Sequence, residues 1–457
     1  MIRSCGFLML LVICFLLLPS MPAQAAHHLL YTCDLTALAH GNVDDPEFRR
    51  QAWDELEVAA AVQGIVNRTR PRLYLFLVGD HGKIDHYWLR RLQEPREWLE
   101  KTPIMSLSDT LSVVMRFRRQ VRGVVVWDER VPATSNVAAT IAGVKNLIPL
   151  RYDAAPGSLY SRLVLDEHGP RLPVAVRLLK EDGSQLFTGV GTIPGTTTPS
   201  SGSAKCDAYL WAAHNYLEKG LCDPTHLAYY PDAYWLGRNL KIPADRTLLS
   251  NHDYFIAHRS FFFDLSPWDD EAPDDDKAQP PGTDAKTLMT ILRDAYKASG
   301  GQILHVGGFT PWDQKYTDYT GGRHGGVATE WSYAEILSCY NAYMDADAPG
   351  LNAMANASVY QHYPLAARYP QPNLPTDNSL RAQGYLDANG QVAHKTFVSI
   401  YVGDYDSAAW MYQRIPDLWD DPARGSIPLG WAFNPTLDQR FPVGLAYTRK
   451  TATPNDT

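Results

Sequence analysis

Two hydrophobic patterns alternate along the first third of the chain. From residue 48 to residue 66 apolar side chains recur every three or four positions, after an Asp45-Pro46 helix start. Residues 72–78 and 121–127 are almost continuously apolar. Apolar strands that alternate with amphipathic helices are typical of a buried parallel sheet. We therefore predict a small doubly wound α/β domain over residues 26–151.

The pattern is less regular over residues 152–249, which we assign to an irregular middle domain. Residues 172–179 predict a strand. Residues 183–204, rich in Gly, Ser, Thr and Pro, predict a loop. Residues 207–219 predict a helix that ends at Gly220.

Residues 250–457 return to alternating strands and helices. Strands are predicted at 260–264, 302–306, 397–402 and 428–433, with a further short strand at 354–359. One helix is predicted to have Thr283 or Asp284 as its N-cap, and another is predicted to begin near Thr329. A strand spacing of roughly 30–50 residues suits β/α units. The predicted fold class is α/β, with a barrel-like β/α domain, complete or incomplete, at the C-terminal end.

Residues 1–25 have the pattern of a cleaved signal peptide. Arg3 is followed by an apolar run over residues 7–18 and by Ala23-Gln24-Ala25, a typical cleavage site. The run has about 12 residues, fewer than the ~20 that span a bilayer. We expect a secreted or periplasmic protein with no membrane span after cleavage.

The net charge and the cysteine count exclude several classes of binding partner and of fold. Lys+Arg is 42 and Asp+Glu is 50, for a net charge of -8, and no basic tract occurs. Such a chain is a poor candidate for binding nucleic acid or anionic membranes. The four cysteines beyond the signal peptide are too few for a disulfide framework. Cys206 and Cys222, which bracket a predicted helix, are candidates for one disulfide.

Acids, amides and aromatic residues follow the predicted strands of the third block. Ligands of parallel α/β sheets bind beyond the carboxyl ends of the strands, so these residues are candidates for substrate binding and catalysis. They are Asp264, Trp268, Trp312, Asp313, Lys315, Asp404, Tyr405, Asp406, Trp410 and Asn434. His324, in the glycine-rich segment 321–326, and Glu330 complete the set.

Asp404 and Asp406 form the main candidate carboxylate pair. If the strand continues, both side chains point to one face, and repulsion raises one pKa, which suits a general acid beside an ionised partner. The pair could instead bind a divalent cation, or Asp406 could cap the next helix. Glu330 is either a second carboxylate or a first-turn acid favoured by the helix dipole. His324 is either a proton shuttle or sugar ligand or a solvated loop residue.

The acidic run 269–276 lacks the spacing of a calcium-binding EF-hand loop, so we predict a solvated loop there. The chain contains no Gly-x-Ser-x-Gly, no His-Glu-x-x-His and no P-loop. With these motifs absent, the remaining candidate residues are carboxylates together with Trp and Tyr. They suit a carbohydrate substrate, because aromatic rings stack on sugars and paired carboxylates cleave glycosidic bonds. No cofactor is expected, apart from the alternative of a divalent cation.

Several motifs resemble one family. They are 63–68 with 71–75, 263–268, 308–312 with Lys315-Tyr316, 356–358, 403–410, 419–425 and 428–431. In these the chain resembles the GxGYxYP family of exported bacterial proteins, described as glycoside hydrolases. The motif that names the family should follow soon after Asn455-Asp456, whereas this sequence stops at Thr457. We therefore expect a fragment or a truncated form, inactive if the missing segment completes the site.

The leading hypothesis is a glycoside hydrolase acting on a poly- or oligosaccharide. Asp404 would be nucleophile or base, and Asp406 or Glu330 the acid. Sugar-stacking and hydroxyl-binding roles fall to Trp312, Trp410, Tyr405, Asp264 and Asp313. Two alternatives remain: a non-catalytic protein that binds carbohydrate or cell wall, and a metal-dependent hydrolase or deacetylase with Asp404 and Asp406 as ligands.

Overall fold

The computed structural model describes residues 28–42, 44–237, 250–308, 324, 329–345, 354–369, 375–403, 407–434 and 436–457. The predicted signal peptide lies outside them. The strands of the described residues are β1 (Leu30–Asp34), β2 (Leu73–Phe76), β3 (Ile104–Leu107), β4 (Val124–Trp127), β5 (Ile148–Arg151), β6 (Val174–Arg177), β7 (His226–Tyr229), β8 (Phe261–Phe263), β9 (Leu304–Gly308), β10 (Ala342–Asp345), β11 (Tyr401–Val402) and β12 (Gly430–Trp431).

The helices connect these strands along the chain. They are α1 (Thr36–Ala39), α2 (Pro46–Asn67), α3 (Lys83–Leu92), α4 (Thr110–Arg116), α5 (Ala133–Lys145), α6 (Ala204–Ala212), α7 (His252–Ala257), α8 (Thr283–Ala298), α9 (Thr329–Ser338), α10 (Ala357–Tyr360), α11 (Asp377–Ala382), α12 (Ala408–Arg414), α13 (Leu437–Arg440) and α14 (Pro442–Thr451). Where the structure describes the chain, no helix is long and apolar enough to cross a membrane.

The described strands form four sheets, and every strand pairing within them is parallel. The orders are β2-β1-β3 for the first sheet, β5-β4-β6 for the second, β10-β9-β7-β8 for the third and β11-β12 for the fourth. The predicted α/β class is confirmed. The strands that are described do not close into a barrel, so the barrel-like arrangement stays a prediction.

The predicted domain boundaries also stay predictions. Residue 249 lies outside the described residues, and the third sheet takes β7 and β8 from its two sides. In the second sheet, β6 pairs with β4 across the boundary predicted at residue 151. A single cluster of buried apolar residues runs through all three predicted blocks.

Helix α2 begins as its sequence predicts. The Asp45 side chain accepts a hydrogen bond from the Glu47 backbone N–H at 3.0 Å, and Pro46 occupies the first helical position. The helix is buried on nearly all sides and packs against α7 and β5. Gly64 permits the contact with α7, because a Cβ there would lie 2.4 Å from the Asp253 carbonyl oxygen.

Two strand predictions are corrected by the structure. Residues 357–360 form helix α10 instead of a strand, and the preceding Asn356 adopts a left-handed conformation (φ 67°). Of the strand predicted at 397–402, only Tyr401 and Val402 pair with β12. The residues before them are exposed, including Val398 at 82%, so their apolar pattern does not reflect a buried strand.

The family motifs near residues 63 and 356 meet in the core. Gln63 Nε2 donates to Asn356 Oδ1 at 2.6 Å, and Asn67 Nδ2 donates to Ser358 Oγ at 2.9 Å. Asn356 also bonds both backbone groups of Leu75 at 2.8 Å, as a neighbouring strand would. Asn67 and Asn356 are fully buried, so these motif residues stabilise the packing of the core.

Cys206 and Cys222 do not form the disulfide for which they were candidates. Cys206 and Cys222 are free thiols, and both are buried. Burial raises the pKa of the Cys222 thiol to about 12, with a further contribution from the negative charge of Asp223. The thiol therefore stays protonated and unreactive at neutral pH.

A buried carboxyl group in α2 makes stability depend on pH. Burial, reinforced by the charge of Asp54, raises the pKa of Glu57 to about 8, while Trp127 Nε1 donates to it at 3.2 Å. Between pH 4.5 and about 8, the folded protein therefore keeps a proton on Glu57 that the unfolded chain has already released. The free energy of unfolding should fall as pH rises through that window.

Glu57→Gln should remove this loss of stability. Between pH 5 and 8, we expect the free energy of unfolding of the wild type to fall by more than about 1.4 kcal/mol relative to that of the variant. This is the equivalent of one pKa unit. Urea unfolding at both pH values measures the difference. Glu167→Gln, at an exposed glutamate, is the matched control. Equal pH dependence in wild type and Glu57→Gln would contradict the assignment.

Candidate functional site

The carboxyl edge of the third sheet is rich in acidic residues. Asp345 is the last residue of β10, Asp264 follows β8, and Asp232 comes three residues after the end of β7. Each of the three is buried. Gly308 ends β9 at φ 98°, and a Cβ there would lie 1.7 Å from the Tyr229 carbonyl oxygen. Glycine thus lets the ends of β9 and β7 approach closely.

Asp264 is held by groups from neighbouring elements. Tyr229 Oη donates to its Oδ1 at 3.0 Å, and the Asp232 backbone N–H donates to its Oδ2 at 3.0 Å. Its own N–H donates to Tyr209 Oη at 3.1 Å. Since Asp264 has no exposed surface, it supports the turn that leads to Trp268. Its predicted contact with substrate hydroxyls would require that turn to open.

A buried lysine lies beneath this turn. Lys205 Nζ, in the first turn of α6, is 2.6 Å from Asp284 Oδ2 and 2.9 Å from Asp275 Oδ2. Burial opposes its charge, but the charges of Asp275, Asp284, Asp264 and Asp232 hold its pKa well above the usual value. Gly282 is the N-cap of α8, in place of the predicted Thr283 or Asp284. The Asp284 carboxylate is thereby left to bind Lys205.

Asp345 forms a second buried ionic group. Arg440 Nη2 lies 2.8 Å from its Oδ1, and His305 Nε2 lies 2.8 Å from its Oδ2. Burial would raise the pKa of Asp345, but the charge of Arg440 and the contact with His305 hold it below the usual value. This acid therefore joins β10, β9 and α13, and no sequence pattern had marked it.

Trp268 and His324, both predicted site residues, lie together. Their rings stack with centroids 3.5 Å apart and planes 2° from parallel. Trp268 Nε1 donates to Thr329 Oγ1 at 3.3 Å, which places the pair beside the first turn of α9. That turn carries Glu330, which is half-buried.

Two carboxylates of the acidic run lie near the same nitrogen of the His324 ring. His324 Nε2 lies 3.4 Å from Glu271 Oε2 and 3.7 Å from Asp270 Oδ1. The Glu271 side chain is 7% exposed and that of Asp270 is 48% exposed. An imidazole nitrogen beside a shielded and a solvated carboxylate can accept a proton and pass it on.

The prediction of a solvated loop over residues 269–276 was therefore wrong in part. Glu271 is buried against His324, and Asp275 is buried against Lys205. Asp276 accepts a hydrogen bond from Ser203 Oγ at 2.5 Å. The partners of these acids come from distant parts of the chain, so the local sequence gives no sign of the contacts.

The remaining described candidates lie in or near the fourth sheet and α12. Trp410 is half-buried, and the Arg414 guanidinium lies 5.1 Å from the centre of its ring. Asn434 accepts hydrogen bonds from the backbone N–H and the hydroxyl of Thr436 at 2.9 and 2.8 Å. Ser407 is the N-cap of α12 and accepts from the Trp410 backbone N–H at 3.2 Å. Ser407 thus takes the N-cap position that was one alternative predicted for Asp406.

The other predicted site residues lie outside the described residues: Trp312, Asp313, Lys315, Asp404, Tyr405 and Asp406. Their roles stay predictions. The structure thus brings Trp268, His324 and the start of α9 together, and adds Glu271 and Asp270.

Comparison with known proteins finds two domain matches to one family. Residues 394–457 match the domain described as GxGYxYP putative glycoside hydrolase C-terminal domain, and residues 121–156 match the GxGYxYP_N second domain. None of the curated proteins matches the sequence.

A solved structure shares the fold. It is described as a putative hydrolase from Bacteroides thetaiotaomicron VPI-5482, with a TM-score of 0.55 and 15% sequence identity. The match covers 93% of this chain and 61% of that one, so this chain spans less than two thirds of its length. The two domain matches confirm the resemblance that the motifs predicted: over residues 121–156 and 394–457 the chain is similar to the GxGYxYP family.

Proposed function

We propose that the protein is an exported glycoside hydrolase that acts on a poly- or oligosaccharide at strand carboxyl ends within residues 250–457. The observation that carries the proposal is the cluster of Trp268, His324, Glu271 and Asp270. It combines an aromatic plate, an imidazole and two carboxylates beside the helix start that carries Glu330. Glycosidic cleavage needs proton transfer to the leaving oxygen and a flat surface for the sugar ring.

The proposed roles follow from proton chemistry. Asp404 acts as nucleophile or base, and Asp406 or Glu330 as the acid. Glu271 orients the His324 ring, and His324 passes a proton between the site and the solvated Asp270. Trp312, Tyr405 and Trp410 stack on sugar rings, while Asp313, Lys315 and Asn434 bind hydroxyls. The signal peptide of residues 1–25 directs the protein to the periplasm or the medium.

A glycan-panel hydrolysis screen tests the proposal. The chain from residue 26 onward is incubated with aryl glycosides and with plant, bacterial and host polysaccharides, and released reducing ends are measured. We expect at least one substrate to be cleaved. His324→Ala should then lower kcat by about 100-fold, in the range of proton-transfer catalysis.

The controls separate catalysis from folding. His168→Ala, at an exposed histidine, should retain full activity. Glu271→Gln keeps the size of the side chain and should lower kcat in the same direction as His324→Ala. Binding of a glycan without cleavage would favour the non-catalytic alternative. Activity lost with EDTA and restored by a divalent cation would favour the metal-dependent alternative.

A further inference from the structure

One carboxylate and two imidazoles cluster at the amino end of β7, the end of the third sheet opposite to the candidate site. Asp223 precedes β7, His226 is its first residue, and His258 directly follows α7. One ligand-type atom of each residue lies within 4.8 Å of the other two. None of the three belongs to the hydrolytic site proposed above.

The three side chains are in contact with one another. Asp223 Oδ2 lies 3.2 Å from His226 Nδ1. The rings of His226 and His258 face each other with centroids 4.3 Å apart and planes 22° from parallel. Ligand atoms of a tetrahedral zinc ion with bonds of ~2.0–2.1 Å lie roughly 3.3 Å apart. Binding of an ion would therefore require rotation of the two stacked rings, so that their nitrogen lone pairs converge.

A neighbouring amide sets the tautomer of His258. Gln361 Nε2 donates to the Ser358 carbonyl oxygen at 3.0 Å, which directs Gln361 Oε1 to His258 Nε2 at 2.9 Å. Because Oε1 only accepts, Nε2 carries the proton and Nδ1 keeps its lone pair. Histidines that bind metals generally donate their second N–H to such an acceptor.

Water and ions can reach the cluster. The His226 side chain is 18% exposed and that of Asp223 is 34% exposed. Two imidazoles and one carboxylate suit zinc and similar first-row ions, whereas Mg²⁺ and Ca²⁺ prefer oxygen ligands. We propose that Asp223, His226 and His258 bind a divalent first-row transition ion of the Zn²⁺ class, with water completing its coordination. The ion ties the start of β7 to the end of α7.

Cobalt spectroscopy tests this site directly. Protein stripped with EDTA and dialysed is titrated with Co²⁺, whose d–d absorption reports coordination by protein ligands. We expect saturable binding by the wild type that Zn²⁺ displaces. The component assigned to this site should disappear in His226→Gln and in His258→Gln. His214→Gln is the matched control, because its ring pairs with Glu218 on an exposed helical face.

A variant of a residue beside the ligands provides a second test in case a histidine variant misfolds. Gln361→Ala leaves all three ligands in place and should weaken Co²⁺ binding by about 10–100-fold. Zn²⁺ should raise the melting temperature of the wild type and of His214→Gln, but not that of His258→Gln. Absence of saturable Co²⁺ binding, or an undiminished signal in all three site variants, would overturn the proposal. Neither result would affect the proposed hydrolase activity.

Discussion

Asp404→Asn should abolish glycoside hydrolysis while leaving the melting temperature of the protein nearly unchanged. Asparagine keeps the size of the side chain but can neither attack the sugar carbon nor accept a proton. Loss of a positioned proton-transfer group alone lowers rates by roughly 10²–10⁴-fold. Reducing-end assays on the best substrate of the panel, with differential scanning fluorimetry, measure both quantities.

The flanks of Asp404 explain why this effect should be large. Strand β11 ends at Val402, and α12 begins at Ala408 with Ser407 as its N-cap. Residues 404–406 therefore connect a strand end to a helix start, where parallel α/β folds bind ligands.

The matched control for this experiment is Asp417→Asn, an exposed aspartate shortly after α12. It should retain both activity and stability. Full activity in Asp404→Asn would remove Asp404 from the mechanism. The anomer that wild type first releases, read by NMR, then reports the geometry. Retention implies carboxyl groups ~5–5.5 Å apart, and inversion ~6.5–9.5 Å.

Lys205→Met should destabilise the protein by ~3–5 kcal/mol, the usual cost of removing one partner of a buried ion pair. The side chains of Lys205, Asp275 and Asp284 are 5%, 2% and 0% exposed. Methionine fills most of the space but leaves both carboxylates without their cation. The free energy of unfolding, taken from urea titration at pH 7, measures the loss.

Two further variants identify the cause. Lys277→Met removes an exposed lysine that pairs with Asp274 at 3.1 Å, and should change stability little. Adding Asp284→Asn to Lys205→Met removes one orphaned charge and should recover part of the lost stability. If the double variant is no more stable than Lys205→Met, the destabilisation comes from packing and not from unpaired charge.

Features governed by neighbouring residues were predictable from the sequence. The start of α2 follows from Asp45 and Pro46, and the confirmed strands β2, β4 and β8 are short apolar runs. These signals act within a few residues, because caps and strand propensity depend on local backbone groups. The loop before α6 was predictable in the same way, from its content of Gly and Pro.

Features that depend on distant partners were not predictable. The run 269–276 has the composition of a solvated loop, yet Glu271 and Asp275 are buried by His324 and Lys205. Residues 354–359 read as a strand, yet the Asn356 side chain itself bonds the backbone of β2. Asp223 and His226 are three residues apart but lie outside a helix, and no sequence pattern pairs them with His258.

The hydrogen bonds of Gln63 and Asn67 have a consequence for synthesis on the ribosome. Their partners Asn356 and Ser358 lie 293 and 291 residues further along the chain. Contacts between such distant positions form late, because a long loop must close first. The N-terminal block therefore emerges with the polar side chains of α2 still lacking these partners. Its native core can be completed only after residue 358 has left the exit tunnel.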